Sequence, residues 1–436
     1  MYPAMSKQVT RLTTPVLIKA GNFWDGVTDQ AIGYREILIE NEMISEVSSS
    51  IDCSSELKVI DLSGCTVMPG FIDCHQHLTL RPSMFGKFWR YSSAHKALCG
   101  VDALNRNLMN GFTTVRDCGD MDLHGYTVQE LKWAVETGII PGPEIIVSGH
   151  MISSRGGHMD VTSALPSDVL PFENCLADGP DEIRKVVREE INRGCSWVKF
   201  AASGGFSSPS DDPLQVTFSQ EEMNTIVETA RDFIRPVSVH AIGPEAIRRS
   251  LVAGVRSIEH GSMANNELLS LMEKKKVYLV PTQLAAIRNL RTANDSGSKV
   301  SYPVTSTEKF SKYKEALMDG AKCIAQCRVS IAFGTDLGIL SYDINPACEF
   351  HEMVTNGINS LRALKAATSV AADLLQLQDR GVLTPGKNAD IVAMANNPFD
   401  DIRATENVCF VMKQGVTFKE TSPDMYSKCK IKLEDN

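Results

Sequence analysis

Long apolar runs, clustered charge and paired-cysteine motifs are all missing from this 436-residue sequence. No stretch reaches the roughly eighteen apolar residues that a membrane-spanning helix needs. The opening MYPAMSKQVTRLTTPVLIKAG lacks the charged start, apolar centre and small-residue cleavage site of a secretory signal. A soluble cytoplasmic protein is therefore expected. The formal net charge of −9 is spread without long acidic or basic runs. No clustered Lys/Arg face is then available to nucleic acid or an anionic membrane, so the expected partner is a small molecule. The 12 cysteines include no C-x-x-C pair, and Cys323 and Cys327 stand four apart on a helical stretch. That spacing suits neither dithiol redox chemistry nor a zinc ribbon, so the cysteines read as reduced, mostly buried thiols. Hydrophobic content of 43% with 22% charged residues excludes disordered and collagen-like chains.

What is present is a repeating unit. The length implies either one large α/β barrel or two to three ordinary domains. From about Thr66 to Asp336, short apolar strands alternate with amphipathic helical segments such as DEIRKVVREEINRG and SQEEMNTIVETARDF. The strand-like runs are TVMPGFID, FTTVRD, EIIVSG, WVKFAA, PVSVHA, RSIEHG, YLVPTQ and VSIAFGTD. About eight such units in series predict an α/β fold of the (β/α)₈ TIM-barrel type. Gly111, Gly138, Gly194 and Gly254 each precede a strand, where a left-handed helix cap is favoured, and Ser219 with Glu222 makes a capping box. Two β-rich pieces lie outside, one near each end. Together they predict a small β-sandwich built from both termini, dividing the chain into 1–66, a catalytic barrel at 67–375, and 376–436.

The stretch PGFIDCHQHL, Pro69 to Leu78, carries the first chemical signal. In a strand, successive side chains alternate, so His75 and His77 share one side. Taken alone, they are equally well two strand-end histidines in water. In a barrel, however, catalytic groups gather at the C-terminal ends of the strands. There this chain places Lys199, His240, His260 and Asp336. Each has a plain alternative: a snorkelling lysine, a loop-bonding histidine, a helix-capping aspartate. Chance is a poor explanation for all of them together. Of the other histidines, His95, His124 and His351 read as surface or packing residues, and His150 is ambiguous. His158, in the glycine-flanked loop RGGHMD after the third strand, is a candidate for the substrate carbonyl or carboxylate.

This set, opening with PGFIDCHQH and closing with ADIV, resembles the metal-dependent amidohydrolase superfamily over nearly the whole chain. Through GGHMD at 156–160, KFAASGG at Lys199 and IEHGS, it is more closely similar to the imidazolonepropionase-related dipeptidases and the ochratoxin-hydrolysing amidohydrolases. The resemblance implies two divalent metal ions, with Zn²⁺ the best match to histidine and carboxylate donors, though Mn²⁺, Co²⁺ and Fe²⁺ also fit. His75, His77 and Asp336 would hold one ion and His240 and His260 the other, bridged by Lys199 after carboxylation by carbon dioxide. An amine with a pKa of about 10.4 is a cation and cannot ligate metal, whereas a carbamate offers anionic oxygens. Two ions so held would bring water from a pKa of about 15.7 towards 7 and polarise a carbonyl, with Asp336 carrying the proton to the leaving amine. Arg155 and His158 in SSRGGHMD, with Ser203 and Gly204 in SGGFSSPS, are the expected contacts for a substrate carboxylate.

The expected activity is hydrolysis of the amide bond of dipeptides or N-acyl amino acids, ochratoxin-type amides included. Opening of a cyclic amide (imidazolone, lactam or hydantoin) is the rival. A non-catalytic scaffold of the same fold is disfavoured because all six ligand positions are filled. Relatives suggest a homo-oligomer, an octamer among the forms, although the sequence carries no interface signature.

Overall fold

The computed structural model describes residues 14–52, 56–85, 87–123, 125–160, 162, 175–208, 210–287, 290 and 304–421. His124 lies outside the described residues. Four strands come first: β1 (Val16–Phe23), β2 (Arg35–Glu40), β3 (Met43–Ser48) and β4 (Lys58–Pro69). The parallel strands follow as β5 (Phe71–Gln76), β6 (Phe112–Asp117), β7 (Glu144–Val147), β8 (Met151–Ile152), β9 (Val198–Ala201), β10 (Val237–Ala241), β11 (Ser257–His260) and β12 (Tyr278–Val280). The chain ends in β13 (Ile391–Met394), β14 (Val408–Lys413) and β15 (Val416–Glu420).

The run TVMPGFID is not one strand. β4 ends at Pro69, which pairs with Ile391 in the terminal sheet, and β5 begins at Phe71, paired with Phe112. The crossing falls at Gly70, where an added Cβ would sit 2.4 Å from Thr113 Oγ1.

The parallel strands close into a ring. β5, β6 and β7 are hydrogen-bonded in that order, as are β8 to β12. The two groups join where the Ser196 and Trp197 amides donate to Val147 O at 3.0 and 3.2 Å. The remaining gap is filled by the segment expected as the eighth strand. It has no regular ladder, yet Ala332 N donates to Leu279 O (2.9 Å), Cys74 N to Phe333 O (2.8 Å) and Asp336 N to His75 O (2.8 Å). Its irregularity has a cause. A Cβ at Gly334 would lie 2.4 Å from a Val280 methyl, and Asp336 is left-handed (φ 60°), so the backbone leaves the extended region as it approaches its neighbours.

Helices cover the outside. The helix Gly179–Asn192 turns Ile183, Val186 and Val187 inward on the 3.6-residue period, and Gln220–Asp232 carries the expected Ser219/Glu222 capping box. Phe71, Phe112, Phe333 and Phe350 pack ring against ring at 4.4–5.5 Å, fixing the starts of β5 and β6 against the helix Cys348–Thr355. Each buried ring contributes about 1.5–3 kcal/mol.

Both termini build the second β unit, one seven-stranded sheet in the order β15-β14-β13-β4-β1-β2-β3. Cys65 Sγ and Cys409 Sγ touch at 3.8 Å although β13 lies between their strands. Flat neighbours once removed would stand about 9.5 Å apart. The sheet is therefore curled, sandwich-like, around its own core of Ile18, Phe23, Ile37, Ile60, Ile391 and Phe410.

Candidate active site

Strand ends bring His75, His77, Lys199, His240, His260 and Asp336 to the floor of one cavity, whose empty volume is about 1190 Å³ including its open mouth. Asp336 Oδ1 lies 3.4 Å from His75 Nε2 and 3.4 Å from His77 Nε2. The His75 and His260 rings are 4.8 Å apart, and those of His240 and His260 4.7 Å. Neither His260 nor Asp336 has ordinary strand geometry: both are left-handed, at φ 69° and 60°. Such strain in non-glycine residues is found where surrounding structure over-determines a site.

Each imidazole is oriented from behind. His75 Nδ1 bonds Glu259 at 2.8 Å, His77 Nδ1 bonds Gly119 O at 3.0 Å, and His260 Nδ1 bonds Thr282 Oγ1 at 2.8 Å. These contacts leave each Nε2 for the centre. His240 is reversed: its Nε2 bonds Gly204 O at 3.2 Å, leaving Nδ1 as the lone-pair atom. Burial first, then the Lys199 ammonium, holds His75 well below the usual histidine range. Burial does the same to His240, helped by His158, and to His260, helped by His75. For His77, burial opposes the charged form but the Asp336 carboxylate outweighs it.

The donor set fits a cation. Among the described residues, His75 Nε2, Lys199 Nζ and Asp336 Oδ1 are buried and make no hydrogen bond. Unsatisfied buried polar atoms are costly, so several at one point call for a further group. His75, His260 and Asp336 offer ligand atoms all within 4.8 Å of one another, the geometry a metal ion requires.

Other expected contacts lie elsewhere. Arg155 is exposed at the surface, its Nε 3.2 Å from Asp178, and does not line the cavity. Ser203 is buried, donating to Gly204 O at 2.8 Å and accepting from Ile242 N at 3.1 Å. Gly204 shapes the loop, where a Cβ would strike Asp212 O at 2.2 Å. These three therefore support the loops instead of facing a substrate. His158 does line the cavity, stacked on His240 at 4.4 Å.

Glu259 carried no local signal that marked it as part of the site. Strand alternation puts it opposite His260, but His260's left-handed backbone turns that ring back over the side Glu259 already serves. Arg116 neutralises Glu259 at 2.7 Å, and both are fully buried. The apolar walls, including Phe85, Trp89, Met121, Met151, Phe206 and Phe310, were equally hidden because they come from separate loops, helices and the short strand β8.

His150 is excluded from the site. It is buried between Glu190 (Nδ1, 2.9 Å) and Asp122 O (Nε2, 3.0 Å). Burial opposes its charge, yet Glu190 outweighs burial and raises its pKa to about 9. The raised value stabilises the fold fully below the unfolded pKa of about 6.5, and the contribution is lost as pH rises through about 9, on the order of 3 kcal/mol. Melting temperature should therefore fall over that window more steeply in the parent than in His150→Gln. Identical profiles for the two proteins would remove this pair from the stability of the fold.

Residues 66–418 match the family described as the amidohydrolase family. The chain belongs to the amidohydrolase family. It is 31% identical over 415 residues to an ochratoxinase of Aspergillus niger, covering 88% of this chain and 82% of that protein. Among solved structures it is similar to a Xaa-Pro dipeptidase with methionine bound in the active site (32% identity, TM-score 0.85, 93% of this chain and 100% of that one). A prolidase complexed with N-methylphosphonate-L-proline is also similar, with 31% identity and a TM-score of 0.84 over 94% of this chain and 100% of the other. Amide hydrolysis is the reaction class these relatives support. Among the described residues no helix is long and apolar enough to cross a membrane.

Proposed function

We propose that this protein hydrolyses the amide bond of a dipeptide or N-acyl amino acid bearing a large apolar group, a class that includes ochratoxin-type amides. The observation that carries the proposal is the trio of unpartnered buried atoms, His75 Nε2, Lys199 Nζ and Asp336 Oδ1, beneath an apolar cavity. His75, His77 and Asp336 would hold one divalent ion, Zn²⁺ by donor type, and His240 and His260 a second. Lys199 would bridge them as a carbamate: Nζ bonds the carbon of carbon dioxide and loses its proton. When bound, the pair supplies a nucleophile from water near neutral pH and polarises the scissile carbonyl.

The chain's own residues do the remainder. Asp336 Oδ1 is placed to take a proton and return it to the leaving amine. Glu259, Gly119 and Thr282 keep the imidazoles oriented. His158 and the hydroxyls of Ser207 and Ser210 face the substrate, and the aromatic and methionine walls exclude water. A cytoplasmic location is supported by ten free cysteines among the described residues, including the Cys65–Cys409 neighbours. Homo-oligomeric assembly, an octamer among the proposed forms, would have an apolar surface contact available in Phe233 and the 87%-exposed Ile234.

The test compares N-acetyl-L-phenylalanine with its C-terminal amide and with cyclic amides (hydantoin, dihydroorotate). The acid is expected to be hydrolysed best, exceeding its amide by about 10- to 100-fold in kcat/KM, the worth of one charge-assisted hydrogen bond donated to the carboxylate by a cavity-lining serine hydroxyl such as Ser207 or Ser210. A preference for the cyclic compounds, or equal rates for acid and amide, would overturn it.

A further inference from the structure

We propose that Asp211, anchored by Lys309, is a positioning residue for His158, fixing its ring proton on Nδ1 so that Nε2 faces the substrate as a hydrogen-bond acceptor, suited to the N–H of the scissile amide. The proposal rests on the amide-hydrolase reading above and assigns a function to a charged cluster outside the candidate metal ligands.

Three separate segments meet here. His158 belongs to the loop after β8, Asp211 to the loop after β9, and Lys309 to the helix Val304–Lys312. His158 Nδ1 lies 3.0 Å from Asp211 Oδ2 and 2.8 Å from Ser208 Oγ. Ser208 Oγ itself donates to Asp211 Oδ2 at 2.5 Å, so its proton is spent. A carboxylate can only accept, and both neighbours of Nδ1 are then acceptors. The Nδ1 position must carry the proton. No hydrogen bond among the described residues reaches Nε2, and His158 lines the cavity.

The ring has little freedom otherwise. It stacks on His240 at 17°, and on Gly205 it packs so closely that an added Cβ would be 2.1 Å from Cε1. Packing alone fixes the plane of a ring; it does not say which nitrogen faces the cavity, and that choice falls to Asp211.

Lys309 explains how a 5%-exposed carboxylate is tolerated. Its ammonium lies 2.9 Å from Asp211 Oδ1 and also donates to Gly205 O (2.9 Å) and Ser208 O (2.6 Å). Removing one partner of a buried charge leaves the other uncompensated, so the cluster should act as a unit. The same lysine ties the Gly205–Asp211 loop to its helix, where Phe310 stacks on Phe206 at 4.3 Å to form a cavity wall.

The experiment is a double-mutant cycle on the full metal-loaded chain, with N-acetyl-L-phenylalanine as substrate and metal content measured for every variant. Asp211→Asn is expected to lower kcat about 10- to 100-fold with KM changed less than about threefold and metal content unchanged, the usual scale for a group that orients another. In a His158→Asn background the same change should cost less than about twofold. Lys309→Met should lower kcat in the same direction, and serves if Asp211→Asn fails to fold. Histidine ¹⁵N NMR, with the His158 signal assigned by its loss in His158→Asn, gives a readout independent of turnover: proton on Nδ1 in the parent, and a changed tautomer in Asp211→Asn or Lys309→Met. Multiplying losses in the cycle, parental kcat in both single variants, or an Nε2-only proton in the parent would overturn the proposal. A parent that cleaves no linear amide sinks the substrate assignment instead, and the NMR result still decides for or against Asp211.

Discussion

Lys199→Ala is expected to lose at least about a thousandfold in amide hydrolysis, about 4 kcal/mol of transition-state stabilisation, and to retain less metal than the parent. Lys199 is 1% exposed, and among the described residues its Nζ makes no hydrogen bond. An unpaired ammonium in that position would cost several kcal/mol, and the four imidazoles around it, His75, His77, His240 and His260, offer no negative charge. The proposed carboxylation would remove the conflict by turning a cation into an anionic group able to hold metal. Alanine leaves a gap at the same point, and a small carboxylic acid such as formate or acetate, added in millimolar amounts, should recover part of the activity by standing in for the lost oxygens. Parental activity in the variant would rule out the bridge. An inactive variant that binds metal normally would place Lys199 in some other role.

Asp336→Asn is expected to lower kcat by about 10²–10⁴, the range of general acid–base catalysis, with a smaller effect on KM. The substitution is unusually clean. Asp336 sits at φ 60°, and asparagine is among the few residues that accept a left-handed backbone, so the turn should persist. Its amide N–H to His75 O, at 2.8 Å, belongs to the main chain and survives the change. What disappears is an oxygen able to hold a proton between the two histidines. A kcat within about tenfold of the parent, roughly 1.4 kcal/mol, would exclude proton transfer through Asp336.

The candidate site was legible in the sequence wherever a strand keeps its period. His75 and His77 fall two apart at the end of β5, and Lys199 and His240 lie within β9 and β10, so alternation and strand order were enough to bring them together. His260 and Asp336 could be placed by position though not by shape, since each leaves the extended region at the residue that matters. The eighth strand was recognisable as an apolar run, while Gly334 and Asp336 deny it a regular ladder. Arg155 was misjudged for a different reason. Its sequence neighbour His158 enters the cavity, but three residues of loop suffice to turn Arg155 outward to Asp178. The groups that support the site, Glu259 behind His75 and Asp211 behind His158, depend on long-range approach between segments, which no local pattern encodes. The terminal sheet shows the same division: its strands read plainly, whereas the curl that lets Cys65 touch Cys409 belongs to the packed sheet.

The most direct measurement is the metal content of the purified chain together with its hydrolysis of N-acetyl-L-phenylalanine before and after chelation. Two divalent ions per chain are expected, with hydrolysis falling to background on their removal and returning when Zn²⁺ or Mn²⁺ is restored in the presence of bicarbonate. Full hydrolysis by metal-free protein, or a chain that binds no divalent metal at all, would contradict the assignment of His75, His77, Lys199, His240, His260 and Asp336 as one metal-holding site.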